Sequence, residues 1–149
     1  YNLGRMGKMP GSVQEIRYIN RDENTHLWLF RSILLELKKE EPQLFTPEHI
    51  EIYKGMLKHG VEEEIKWAEY VLGERMEGLT MEMVADYIHY LGNLRSNALG
   101  FGSLYDGYEK EPASMEWVSM YSNANIIKTD FFEAKSTAYA KSSALVDDL

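Results

Sequence analysis

Residues 12–40 read SVQEIRYINRDENTHLWLFRSILLELKKE. This stretch contains no glycine or proline and is rich in residues that favour helix. Ser12 and Glu15 have the spacing of a capping box, which satisfies free backbone N–H groups at a helix start, and Pro42 cannot continue a helix. The sequence therefore predicts one long helix from Ser12 to about Lys39 or Glu40.

One face of this predicted helix combines an apolar stripe with two polar side chains, Glu23 and His26. The apolar members recur at spacings of three and four: Ile16, Ile19, Phe30, Ile33 and Leu37. Burying an unpaired carboxylate and imidazole is unfavourable, so a partner is expected. Glu-x-x-His on an inward helix face is the metal-ligand unit of ferritin-like di-iron and di-manganese proteins. The alternative is a solvated or structural pair, which such spacing more often produces.

The rest of the chain predicts two more long helices and no strand. Thr46 and Pro47 mark the start of a helix that reaches about Gly73, and Thr80 caps another through about Ala98. No segment alternates apolar and polar residues, which indicates an all-α fold. From residue 106 the helical pattern dissolves. We therefore predict a helical part over residues 1–105 and an extended tail over 106–149.

Asp86 and His89 have the same spacing as Glu23 and His26 and offer a comparison within the chain. The predicted apolar stripe of their helix consists of Val84, Tyr87, Leu91, Leu94 and Ala98. The pair falls on the opposite face with Asn93, which predicts surface residues. His49 and His59 are isolated, and the run of glutamates at 62–64 indicates a solvated face. Four large side chains of the second and third helices are predicted to be core: Trp67, Tyr70, Met81 and Met83.

Composition narrows the functional classes. The chain has 149 residues, 44% of them hydrophobic, and a formal net charge of −8 without a basic cluster, so nucleic acid is not an expected partner. Without cysteine, any metal must be held by carboxylate and imidazole. No apolar run approaches the roughly 18 residues of a membrane helix. These features lead us to expect a cytoplasmic protein that does not enter a membrane.

Two motifs resemble the small subunit of class I ribonucleotide reductase. Residues 19–26, INRDENTH, resemble the Arg-Asp-Glu-x-x-His signature of that family's last metal-binding helix. Residues 128–133, KTDFFE, resemble the Lys-Thr-Asn-Phe-Phe-Glu segment that opens its carboxy-terminal tail, and Tyr139 follows Glu133 by six residues, as the family's relay tyrosine does. The intervening helices are also similar, so the resemblance spans the chain and covers the later part of the family's sequence.

The resemblance implies a role for each matching residue. It implies a ferritin-like helical bundle, of which this chain forms the carboxy-terminal portion, with Glu23 and His26 as ligands of a di-iron, di-manganese or mixed manganese–iron centre. Asp22 would hydrogen-bond a ligand histidine of the other metal, and Ile16 and Ile19 would line the apolar wall near the radical. Glu133 and Tyr139 would carry the radical towards the large subunit.

The resemblance also implies partners. Residues 144–149 would dock on the large subunit, and the small subunit would form a homodimer. The remaining ligands and the radical-bearing tyrosine would come from a segment upstream of Tyr1, so that the chain alone is expected to be catalytically incomplete. The implied function is that of a ribonucleoside-diphosphate reductase subunit in deoxyribonucleotide synthesis.

Two other functional classes remain open. Another ferritin-like di-iron oxidase or an iron-storage protein could use the same scaffold, although neither needs Glu133 and Tyr139 beyond the helical body. A helical interaction module without enzymatic activity would use Glu23 and His26 only as a structural pair.

Overall fold

A computed structural model describes residues 1–122 of the chain. Within this range the fold is all-α, as predicted, and contains no strand. Its α-helices are α1 (Asn2–Arg5), α2 (Pro10–Glu40), α3 (Pro47–Val71), α4 (Met81–Ala98) and α5 (Ser119–Ser122), with 3-10 helices at Pro42–Phe45 and Ala113–Val118. Glu133, Tyr139 and residues 144–149 lie outside the described residues. None of the helices within residues 1–122 is both long and apolar enough to cross a membrane.

The long helix α2 starts earlier than predicted. Its first residue is Pro10, and its N-cap is Met9, which has φ 51° and ψ 51° and makes no side-chain capping bond. The predicted capping box at Ser12 and Glu15 is therefore wrong, because both residues lie inside the helix. Proline at the first position has a helical φ and no N–H to satisfy, so this start needs no cap from Ser12. The predicted end at Glu40 is confirmed.

The starts of α3 and α4 follow their local signals. The side chain of Thr46 accepts a hydrogen bond from the backbone N–H of His49 at 3.3 Å, and Thr80 accepts one from Met83 at 3.2 Å. Both caps satisfy backbone donors that have no partner within the helix. Helix α3 ends at Val71, two residues before the predicted end.

Helices α3 and α4 form the best-packed part of the chain. Buried Val61 and Ala68 of α3 and Val84 of α4 contribute to a small core. Gly92 permits the close approach of the two helices, because a Cβ atom there would lie 2.7 Å from Cγ2 of Val61.

The prediction of which face of α4 is exposed to solvent is wrong. Asn93 is only 1% exposed, whereas Leu94 from the predicted apolar stripe is 41% exposed. The Asn93 amide accepts hydrogen bonds from the backbone N–H groups of Leu104 and Tyr105 and donates to the carbonyls of Tyr105 and Tyr108. The segment after α4 folds back over this face, which a helical wheel does not anticipate.

His89 lies on the same covered face and is not a surface residue. Its ring centroid is 4.6 Å from that of Tyr105 and 4.7 Å from that of Tyr108. Asp86, its partner at the same spacing, is also partly buried. His89 is therefore packed against the following segment, and the prediction that both members of the pair are surface residues is wrong.

Two of the four side chains predicted to be core are exposed. Trp67 is 59% exposed and Tyr70 is 76% exposed on the outer side of α3, whereas Met81 and Met83 are partly buried. Beyond residue 105, the 3-10 helix Ala113–Val118 buries Met115 and Val118. The division of the chain at residue 105 stays a prediction.

Candidate metal centre

Helix α2 brings the two predicted metal ligands together. Glu23 and His26 lie one helical turn apart, and Oε2 of Glu23 is 3.4 Å from Nδ1 of His26. Their side chains are 66% and 61% exposed, respectively. A side-chain contact this exposed adds little to stability because water competes with it. Both side chains therefore remain accessible to a ligand or a further protein segment.

The apolar stripe around this pair is open. Four of its members are about half exposed or more: Ile16 at 48%, Ile19 at 53%, Phe30 at 63% and Ile33 at 51%. A contiguous apolar surface of this kind usually marks an interaction site. The pair thus lies in the middle of a surface suited to burial.

Residues beside the stripe on α2 make polar contacts with the rest of the chain. Nε of Arg31 donates to the carbonyl of Ala98 at 3.1 Å, and Nδ2 of Asn20 donates to the carbonyl of Ser122 at 3.1 Å. α2 thus contacts the ends of α4 and α5 through side chains beside the stripe, and Glu23 and His26 themselves stay exposed.

Asp22 lies beside the pair but points to a different partner. Its Oδ1 accepts a hydrogen bond from Nε of Arg21 at 3.0 Å, and its side chain is 62% exposed. The resemblance implies that Asp22 hydrogen-bonds a histidine ligand of a second metal. Within residues 1–122, no such histidine lies beside Asp22. The role of Asp22 stays a prediction.

The donors on α2 fit part of a carboxylate–imidazole metal site. Across the described part of the chain, no group of three or more His, Cys, Asp or Glu side chains could hold a metal ion. Oxygen and imidazole donors suit iron and manganese, and an octahedral ion takes about six donors. Glu23 and His26 therefore fit as a partial ligand set that further donors must complete.

The other polar side chains singled out in the sequence form no second candidate site. Glu63 pairs with Lys66 at 2.8 Å, and this hydrogen bond lowers the pKa of the Glu63 carboxyl, as is usual on a solvated helix face. His59 is exposed on α3. Nδ1 of His49 lies 3.3 Å from the carbonyl of Gln43, at the start of α3.

Asn20, which lies near Glu23 and His26 on α2, makes a contact that the sequence did not predict. Its hydrogen-bond partner, Ser122, lies 102 positions further along the chain. No local pattern around residue 20 marks such a contact.

Comparison with known proteins identifies the family. The family described as "Ribonucleotide reductase, small chain" matches residues 1–112. The chain belongs to this family. It is 70% identical over all 149 residues to the ribonucleoside-diphosphate reductase subunit beta of Treponema pallidum (strain Nichols), of which it covers 42%. It is 39% identical over 144 residues to the subunit beta of Halalkalibacterium halodurans, covering 97% of this chain and 41% of that protein.

The fold agrees with this family. The ribonucleotide reductase R2 subunit from Clostridium botulinum superposes with a TM-score of 0.77 at 44% identity, over 82% of this chain and 38% of that structure. The chain thus spans about two fifths of the length of the relatives that it matches. Membership in the ribonucleotide reductase small-chain family implies a di-metal cofactor, and Glu23 and His26 are the candidate ligands among residues 1–122.

Proposed function

We propose that this chain forms the carboxy-terminal part of the small subunit of a ribonucleoside-diphosphate reductase. The observation that carries the proposal is the carboxylate–imidazole pair of Glu23 and His26, placed in the middle of an open apolar stripe on α2. Family membership and the identity of 70% to a subunit beta support it.

In the assembled subunit, further helices would cover the stripe and supply the missing donors. Burial of Ile19, Phe30 and Ile33 would exclude water from the site, which strengthens the attraction between the Glu23 carboxylate and a cation. His26 must be neutral and Glu23 ionised to act as ligands. When bound, a di-iron, di-manganese or mixed manganese–iron centre supplies the chemistry with dioxygen that generates a radical.

The tail would connect this site to a large subunit. We propose that Asp22, Glu133 and Tyr139 take part in radical transfer and that residues 144–149 dock on the large subunit. As the radical passes Tyr139, the phenol would give up one electron and one proton together and then regain both. The proposal also includes a small-subunit homodimer, a location in the cytoplasm and an upstream segment that carries the remaining ligands.

Substitutions on α2 test this function. In the complete subunit, assembled with its large subunit, Glu23→Ala and His26→Ala should each lower the bound metal and abolish reduction of ribonucleoside diphosphates. His59→Ala is the matched control, because it removes an exposed imidazole from α3 and should leave both measurements unchanged. Full metal content in His26→Ala would refute the ligand assignment. If the wild-type subunit oxidised iron but did not reduce nucleotides, an iron-storage or oxidase function would be indicated instead.

A further inference from the structure

The last described residues of the chain are held on α2. The 3-10 helix Ala113–Val118 leads into α5, which ends at Ser122. The carbonyl of Ser122 accepts a hydrogen bond from Nδ2 of Asn20 at 3.1 Å. We call residues 117–122 the tail root, because they are the last described residues before the predicted relay residues Glu133 and Tyr139.

Aromatic contacts hold the tail root in the same place. The Tyr121 ring stacks on Tyr1 with centroids 5.4 Å apart, and the Arg17 guanidinium lies 5.8 Å from the Tyr121 ring centroid. The Arg5 guanidinium lies 4.4 Å from the Trp117 ring centroid. Val118, between these residues, is buried. The root is therefore seated on α1 and α2 through side chains on both sides of the contact.

The seat lies close to the metal-ligand pair. Asn20 precedes Glu23 by three residues and His26 by six, which corresponds to about 4.5 Å and 9 Å along the helix axis. Asn20 is partly buried on the side of α2 that contacts α5. One rigid helix thus carries both the pair and the anchor of the tail root.

We propose that Asn20 is a positioning residue for radical transfer, because its amide holds the tail root relative to Glu23 and His26. The proposal rests on the proposed function. An amide is suited to this contact because its NH2 group donates to the Ser122 carbonyl. An ionised carboxylate of the same shape has no proton to donate and would place negative charge against that oxygen.

Asn20→Asp in the complete subunit provides the test, with Asn24→Asp as the matched control. Asn24 lies one turn further along α2, and its Nδ2 donates to the backbone carbonyl of Asn20 rather than to the tail root. Both variants add a negative charge near Glu23 and remove one amide hydrogen bond, but only Asn20→Asp removes the contact to Ser122. Asn20→Leu, which has no added charge and no donor, is the second test variant.

Three quantities are measured on each preparation: metal per subunit, turnover at saturating large subunit, and the concentration of large subunit that gives half-maximal turnover. For both Asn20 variants we expect normal metal content and an unchanged half-maximal concentration, with turnover lowered about tenfold to a hundredfold. Asn24→Asp should match the wild type in all three. Lower turnover with an unchanged half-maximal concentration would indicate a positioning role and not a role in binding, because the proposed docking residues 144–149 are the same in all variants.

Other results would overturn the role of Asn20. Wild-type turnover in both Asn20 variants would show that the hydrogen bond is dispensable. Loss of both turnover and bound metal would show a structural role in α2. A large rise in the concentration of large subunit needed for half-maximal turnover would show a role in docking. Failure of the proposed function would appear differently, as an inactive or metal-free wild-type subunit.

Discussion

Asn93 determines the path of the chain after α4. Its side chain makes hydrogen bonds to the backbone of Leu104, Tyr105 and Tyr108, at distances of 2.7 to 3.0 Å. Asn93 is 1% exposed, and Leu104 is 6% exposed. Backbone groups this deeply buried lose their water and depend on the Asn93 amide for hydrogen bonding.

Asn93→Ala should therefore destabilise the fold. Leaving the N–H groups of Leu104 and Tyr105 without an acceptor should lower the free energy of unfolding by about 2 to 4 kcal/mol. Urea denaturation measures this change. Asn97→Ala is the control, because Asn97 lies one turn further on and the only described hydrogen bond of its side chain is an exposed one to Ser103 at 3.3 Å. Equal stability of the two variants would contradict the role assigned to Asn93.

Tyr139 tests the proposed tail at the level of one hydroxyl group. Tyr139→Phe keeps the ring but cannot lose a proton and an electron together near neutral pH. We expect normal metal content, normal radical content and normal binding to the large subunit, with nucleotide reduction lowered by several orders of magnitude. Turnover, metal analysis and a binding titration on one preparation decide the matter. Turnover comparable to the wild type would show that Tyr139 is not a relay residue.

The contact between α3 and α4 depends on the absence of a side chain at Gly92. In Gly92→Ala, the new methyl group would lie 2.7 Å from Cγ2 of Val61, so the two helices must move apart. We expect a loss of about 1 to 3 kcal/mol in the free energy of unfolding, as is usual for overpacking. The double variant with Val61→Ala should recover part of this loss, because it removes the atom that clashes.

Gly55→Ala provides the opposite case on α3. A Cβ atom at Gly55 would meet nothing within 4 Å, and alanine favours helix over glycine by about 1 kcal/mol. This variant should be more stable than the wild type by up to that amount. Thermal unfolding of both glycine variants measures the difference. A stabilising Gly92→Ala would show that the two helices are not in tight contact at this position.

The helices were predictable where their signals are local. Thr46 and Thr80 are capping residues whose partners lie three positions away, and both caps were confirmed. The start of α2 was misplaced because Pro10 needs no capping side chain. The surroundings of Asn93 could not be predicted, because its partners lie in a segment that folds back onto α4 and a polar residue is buried only when such partners exist.

The candidate site was predictable only in part for the same reason. The face shared by Glu23 and His26 follows from helical periodicity, and α2 does place them 3.4 Å apart. The anchor at Asn20 depends on a residue 102 positions away, so periodicity carries no signal for it. Their function as ligands stays a prediction, since residues 1–122 contain no group of three or more side chains that could hold a metal ion.

At the scale of the whole molecule, the described part of the chain leaves large apolar side chains uncovered on two helices. Trp28 and Phe30 on α2 are 64% and 63% exposed, and Met56 and Tyr70 on α3 are 67% and 76% exposed. Soluble monomers rarely expose such surfaces. The relatives are longer than this chain, which covers 42% and 41% of two of them. We infer that further helices cover these faces in the complete subunit.

The isolated 149-residue chain should therefore bind iron weakly and show no two-iron stoichiometry. Within residues 1–122, Glu23 and His26 supply two donors, whereas two iron ions that each take about six donors need several more. The pair is also exposed to water, which weakens its attraction for a cation. Iron titration, followed by removal of free metal and elemental analysis, measures the stoichiometry. Addition of the remaining helices of the subunit should restore two-iron binding, because they would supply donors and bury the open stripe. Stoichiometric binding of two iron ions by the chain alone would contradict the conclusion that α2 carries only part of the site.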